Sequence, residues 1–328
     1  MKAITLRKFG GPEMMQLSEV ETPAPAEDQV LIKVSNSSVN RPDVIQRQGN
    51  YPPPPGDSEI LGLEVAGVIE SSGENTSRFK PGERVVALVG GGGYAEYALA
   101  REDHCMSIPE SVSFEQAACI CETYITAYLN LFMLGELQGR QSVLIHGGGG
   151  GVATAAIQLC KALSPETRIF VTASSAKLER VSAQGADHVI DYREQSFADE
   201  IKRLTEGRGV DVILDHIGAK YLESNMKSLA LAGTLMLIGV MGGIKAELNL
   251  ATMMVKRQRI IGSVLRSRPV AEKASIIHQF ETEVMPLFAA GTIEPVIDAR
   301  FALKDAADAH RLMEQGGHFG KIILSNQD

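Results

Sequence analysis

From residue 142 onward, short apolar runs at 142–146 (SVLIH), 168–171 (RIFV), 188–191 (HVID), 210–215 (VDVILD) and 234–239 (TLMLIG) alternate with stretches of helical period beginning near Gly151, Ser175, Phe197 and Ala219. Strands separated by helices connect by right-handed crossovers, which lay the strands parallel and put helices on both faces of the sheet. The alternation therefore predicts an α/β fold with a doubly wound parallel sheet. The opening third is different in kind. Runs at 30–34 and 63–70 read as strands, and Lys80-Pro81-Gly82-Glu83 reads as a turn feeding a strand at 84–89. Residues 51–56 hold four consecutive prolines, which remove four backbone donors and leave a stiff loop. Ser113 and Gln116 have capping-box spacing where the character changes.

Five glycines, Gly147 to Gly151, follow the first run of the alternating half and open a helix whose Val152, Ala155, Ala156, Leu159 and Cys160 share one apolar face. Read as GxGxxA, Gly148, Gly150 and Ala153 give a tight turn, a close approach for a pyrophosphate and a small residue where helix meets sheet. The amides of Gly151 and Val152, at the positive end of the helix dipole, would meet the phosphates. A dinucleotide without a 2′-phosphate calls for Asp or Glu after the next strand, and this chain has Thr172-Ala173-Ser174-Ser175-Ala176-Lys177 instead. Hydroxyls and a cation suit a 2′-phosphate, so the expected cofactor is NADPH. Read otherwise, the glycines are a flexible turn, Ser174 or Ser175 caps a helix and Lys177 is solvated.

Composition excludes several classes. The 328 residues carry 32 Lys+Arg against 40 Asp+Glu, a net charge of -8 with no basic block, so nucleic acid is not an expected partner. The long uncharged stretches at 141–160 and 228–244 are broken by glycines and read as buried strands with turns, so no membrane span is expected. Lys2, Arg7 and Lys8 interrupt what would be the apolar part of a secretory leader. Cys105, Cys119, Cys121 and Cys160 form no CxxC pair, which suits reduced thiols and a cytoplasmic location.

The motifs VNRPDVIQRQGNYPPPPG (39–56), ILGLEVAG (60–67), GGGYAEY (91–97), VLIHGGGGGVATAAIQL (143–159), ILDHIG (213–218), LRSR (265–268) and GKIIL (320–324) run through nearly the whole chain. As a set they resemble the zinc-independent quinone oxidoreductases of the medium-chain dehydrogenase/reductase superfamily, and most of all the p53-inducible type. The resemblance implies a GroES-like, strand-rich catalytic domain at 1–121 and 267–328, interrupted by a Rossmann NADPH-binding domain at 122–266. It implies that Asn40 and Thr126 hydrogen-bond near the nicotinamide ribose, and that Ser174, Lys177 and Tyr192 hold the 2′-phosphate. Segments around His216, around Val240 and Met241, and from Val264 to Ser267 with Leu265 would line the two ends of the cofactor, with Lys321 nearby. Tyr192 could instead be a sheet-end aromatic, and Asn40 could organise its own turn with Asp43. Zinc alcohol dehydrogenases carry Gly-His-Glu where this chain has Gly62-Leu63-Glu64. Asn40 stands about where their first catalytic Cys is, and the later one falls near Glu122. No metal is therefore expected. Relatives often read Ala-Gly-x-Ser-Gly-Val-Gly across the glycine turn, where this chain has Gly147, Gly150 and Ala153 in place of the first Ala, the Ser and the last Gly.

The activity so implied is hydride transfer from NADPH to a quinone in a cleft between the domains, with Tyr51 donating a hydrogen bond or proton to the acceptor oxygen. Alternatively Tyr51 shields the pocket. Two rival readings use the same cofactor. One is reduction of an activated alkene, with Arg41, Arg47, Arg266 and Arg268 available to an acyl carrier or CoA, and the other is a non-catalytic NADPH-binding role. A homodimer or homotetramer is expected, paired through the strand after the last Rossmann helix and the apolar segment 246–254.

Overall fold

The structure, a computed structural model, describes residues 1–326. The chain divides into two compact units, Met1–Ile125 with Arg266–Asp328, and Thr126–Leu265.

The first unit is strand-rich. It contains β1 (Lys2–Leu6), β2 (Met15–Glu19), β3 (Gln29–Val39), β4 (Glu64–Ser72), β5 (Arg84–Leu88), β6 (Tyr97–Arg101) and β7 (Cys105–Ser107). The second unit contributes β8 (Ser142–Ile145), β9 (Arg168–Ala173), β10 (His188–Asp191), β11 (Val210–Asp215), β12 (Leu229–Leu237) and β13 (Arg259–Gly262). The chain then returns to the first unit with β14 (Ile297–Ala302) and β15 (Lys321–Ser325). A seven-stranded sheet runs β14-β15-β3-β4-β5-β7 with β6 on β3, mostly antiparallel, and β1 and β2 form a separate pair. Register is what matters here. Ile322 pairs with Val39 and Ser37 with Val65, so the start of β15, the end of β3 and the start of β4 converge. One core beneath the sheet gathers Val30, Ile32, Val65, Ile69, Val85 and Phe79, and another packs Val39, Leu61, Tyr94 and Ile322 with the helix Ala306–Gln315. Each such aliphatic side chain contributes about 1.5–3 kcal/mol when fully buried.

The second unit is the doubly wound parallel sheet that the alternation predicts, in the order β10-β9-β8-β11-β12-β13. The order reverses between β8 and β11, and in such sheets ligands bind beyond the carboxyl ends of the strands at that switch. The inner strands β8, β9 and β11 are buried on both faces, with Leu144, Phe170, Ile190, Ile213 and Leu235 forming the core together with Phe197, Ile201 and Met226 from the covering helices. Near Ser175 and Ala219 the α-helices start three residues later than the sequence suggests, because each is preceded by one 3-10 turn.

Candidate active site

In the second unit the turn after β8 is a cradle that side chains would close. Gly147 has φ +68° and its absent Cβ would lie 2.4 Å from the His216 ring, while a Cβ on Gly148 would lie 2.5 Å from Val171. A Cβ on Gly149 would strike the Lys177 side chain at 2.4 Å, so that lysine lies across the turn with its ammonium beside it. Gly150 caps the helix Gly151–Leu163 with extended backbone and no side-chain bond. The first amides of that helix precede its first i→i−4 bond, from Thr154 N–H to Gly150 O. Around this turn the strand ends bring Ser174 after β9, Tyr192 after β10, His216 after β11 and Val240 and Met241 after β12 to one edge of the sheet. The last two loops are joined, Met241 N–H donating to His216 O at 3.1 Å and Gly242 N–H to Ile217 O at 2.6 Å. Beneath them His146 bonds Thr172 and Asn225, at 2.9 and 2.8 Å, and Asn225 donates to Asp215 at 3.0 Å. Close backbone approach, free helix-start amides and Lys177 are the chemistry a phosphorylated dinucleotide requires, so the residues fit such a group.

In the first unit the converging strand ends enclose a polar cluster. Lys321 Nζ donates to Asn40 Oδ1 at 2.5 Å, to Glu64 Oε1 at 2.9 Å and to Val39 O at 3.4 Å. Glu64 also accepts from Ser38 Oγ at 2.6 Å, from Asn40 Nδ2 at 2.9 Å and, through Oε2, from the Glu122 amide at 2.9 Å. Neighbouring Glu64 holds the Lys321 ammonium above its usual range, although burial works the other way. Asn40 thus has both ends of its amide engaged within this unit, and its backbone N–H bonds Asp43 Oδ2 at 2.8 Å, which is the turn contact anticipated for the pair. Asp43 also accepts from Tyr94 Oη at 2.9 Å, and burial pushes its carboxyl up to about 6.

Tyr51, at the start of the proline loop, is held by Arg266. The guanidinium lies 5.0 Å from the ring centroid, Nη1 donates to Tyr51 O at 3.3 Å, Nε to Gly90 O at 2.9 Å and Nη2 to Gln46 Oε1 at 2.8 Å. Burial, with Glu122 and Asp43 adding to it, pushes the Tyr51 phenol up to about 12, so it is a protonated donor at neutral pH. Two of the four arginines offered to an acyl carrier are unsuited to it. Arg47 is fully buried on His310 and Glu314, and Arg266 is 5% exposed and committed to the contacts above. Sequence reasoning missed the Lys321–Glu64 pair and the Arg266 clamp; the only signal was a lysine directly ahead of an apolar strand.

Thr126 and Leu265 lie at the two ends of the second unit's segment, with Leu265 buried, and exposed Ser267 lies in the first unit. Among the described residues no group of three His, Cys, Asp or Glu is arranged to hold a metal. No helix of the described residues is long and apolar enough to cross a membrane.

Residues 26–110 match the alcohol dehydrogenase GroES-like domain and residues 184–324 the zinc-binding dehydrogenase family. The quinone oxidoreductase of Rattus norvegicus is 36% identical over 328 residues, covering 99% of this chain and 97% of that protein. The synaptic vesicle membrane protein VAT-1 homolog of Danio rerio is 33% identical, covering 99% of this chain and 70% of its own. Among solved structures, the Escherichia coli quinone oxidoreductase complexed with NADPH superposes with a TM-score of 0.90 at 28% identity, covering 99% of this chain and 100% of its own.

Proposed function

The chain belongs to the quinone oxidoreductase family of the medium-chain dehydrogenase/reductase superfamily, and from that premise we propose that it is an NADPH-dependent, zinc-independent quinone oxidoreductase. The observation that carries this reading is the Lys321 ammonium. It is bonded to Asn40 and Glu64, beside positions where zinc dehydrogenases supply metal ligands, so the site's positive charge is a side chain of the protein. When bound, NADPH supplies the hydride. The turn at 147–152 holds the pyrophosphate, and Ser174, Lys177 and Tyr192 hold the 2′-phosphate. His216, Val240, Met241, Thr126, Leu265 and Ser267 border the adenosine and nicotinamide ends. Tyr51 donates to the acceptor oxygen as negative charge develops there. NADPH oxidation with ortho-quinones, para-quinones, an enoyl-CoA and no acceptor, each with a chelator present, tests the reading. Quinone-dependent oxidation that survives chelation supports it. Turnover on the enoyl-CoA alone, or a requirement for zinc, overturns it.

Within the family we read the chain as the p53-inducible type, on the motifs at 39–56 and 265–268. We also read it as a cytoplasmic homo-oligomer, a homodimer or homotetramer. Four buried free cysteines support a reducing compartment. The oligomer is supported by β13, which among the described residues pairs only with β12, and by Ile244, Leu250, Met254 and Val255, each at least 70% exposed. A monomeric mass in sedimentation would remove the oligomer.

A further inference from the structure

The loop from Tyr51 to Glu59 has little of its own to hold it. Pro52 to Pro55 supply carbonyls and no N–H, and among the described residues the only backbone bond inside the loop runs from Asp57 N–H to Pro54 O at 3.1 Å. Such a segment is placed by donors from outside it, and two side chains provide them. Arg266 Nη1 donates to Tyr51 O at one end, and Gln46 Nε2 donates to Glu59 O at 3.1 Å at the other. The two donors are themselves joined, Arg266 Nη2 giving a bond to Gln46 Oε1 at 2.8 Å. A guanidinium only donates and a carbonyl only accepts, so the Gln46 amide lies one way round. Both side chains are buried.

Gln46 is in turn a fixed post, because its helix, Arg41–Arg47, is tied down along its length. Arg41 Nη2 reaches Met313 O at 3.0 Å, and Arg47 donates to Gly10 O at 3.0 Å, to Glu314 Oε1 at 2.8 Å and to His310 Nδ1 at 3.2 Å. With Nδ1 accepting, His310 carries its proton on Nε2 and donates to Tyr94 Oη at 3.1 Å. Tyr94 donates in turn to Asp43, which closes a ring of bonds from Arg47 back to the same helix. At the other end of the brace Arg266 holds Tyr51 by its carbonyl and its ring face, and the phenol hydroxyl has no protein partner among the described residues.

We propose that Gln46 and Arg266 are positioning residues that fix Tyr51, and with it the hydrogen-bond donor of the acceptor site, in its working place. The proposal rests on the quinone reductase reading, in which Tyr51 donates to the acceptor oxygen. A donor set in advance needs no reorganisation when charge develops on that oxygen, and a displacement of about 1 Å forfeits much of its effect. The guanidinium acts through its fork. It bonds Tyr51, Gly90 and Gln46 at once while lying over the Tyr51 ring, which an ammonium in its place does not reproduce.

The test compares wild type with Gln46→Leu, Arg266→Lys and Tyr51→Phe, and with the first two combined in turn with Tyr51→Phe. Single-turnover NADPH oxidation by ortho-naphthoquinone, the KM for that quinone, NADPH affinity by fluorescence titration and the melting temperature are measured for each. Gln46→Leu and Arg266→Lys each slow the single turnover about tenfold or more and leave the quinone KM and NADPH affinity nearly unchanged. In the Tyr51→Phe background the same substitutions cost little further rate, because the group they position is gone. Losses that multiply with that of Tyr51→Phe, an Arg266→Lys enzyme as fast as wild type, or a lowered melting temperature with an undiminished rate overturns the proposal while leaving the quinone reductase reading intact. Should Tyr51→Phe itself react at the wild-type rate, the donor role and the proposal fall together. A wild type that binds NADPH but reduces no quinone overturns the reductase reading as well.

Discussion

Nζ of Lys321 stands 2.9 Å from Oε1 of Glu64, with the two side chains 4% and 0% exposed. A buried pair of this kind adds little net stability over an apolar isostere, but removing one partner strands the other charge. Lys321→Met should therefore lower the unfolding free energy by about 3–5 kcal/mol, read by urea denaturation. Adding Glu64→Gln should restore part of the loss, because the amide keeps acceptors for Ser38 and Asn40 without the charge.

The 2′-phosphate assignment separates the two nicotinamide cofactors. Lys177→Ala should weaken NADPH binding about tenfold or more and leave NADH nearly unchanged, since a charge-assisted bond contributes roughly 1.5–3 kcal/mol. Equal losses for both cofactors in a titration would remove Lys177 from the phosphate.

Two glycines of the turn after β8 should respond oppositely. At Gly150 the backbone is extended, φ −86° and ψ 158°, and a Cβ meets nothing closer than 3.4 Å, so Gly150→Ser should be accepted and supply the missing helix cap. A gain of a few tenths of a kcal/mol is expected in thermal unfolding. Gly148→Ala places a Cβ 2.5 Å from Val171 and should lower both the melting temperature and NADPH affinity.

Burial lowers His146 to about 3, against 6.5 for a solvated imidazole. Between those values the unfolded chain binds the proton and the folded one does not, so this histidine's contribution is whole above about pH 6.5 and is lost as pH falls toward 3. His146→Gln should flatten the acid side of the stability curve by up to about 1.4 kcal/mol per pH unit, measured by urea unfolding at mildly acidic and neutral pH. An unchanged slope would place the acid sensitivity elsewhere.

Tyr51→Phe should lower quinone turnover with little change in NADPH affinity. Unchanged turnover would leave Tyr51 as a lining residue held by Arg266.

The parallel sheet was legible because its inner strands are buried on both faces and so hold short unbroken apolar runs, as at 169–171 and 212–214. The glycine turn was legible for a local reason, namely that a strand, five glycines and an apolar helix face follow one another directly. The Lys321 cluster was not. Its members come from β3, β4 and β15, and only the sheet register brings them together. Arg47 and Arg266 illustrate the converse. Sequence makes an arginine look solvated, while three-dimensional packing put both indoors.

Glu64 is synthesised 257 residues before the lysine that neutralises it. A growing polypeptide therefore carries an unanswered carboxylate through most of translation, and the interior around β3 and β4 cannot settle until β15 is threaded alongside. Folding intermediates lacking that strand should be loose and prone to proteolysis, whatever the surrounding supply of metal ions, because the counter-ion is encoded in the chain itself.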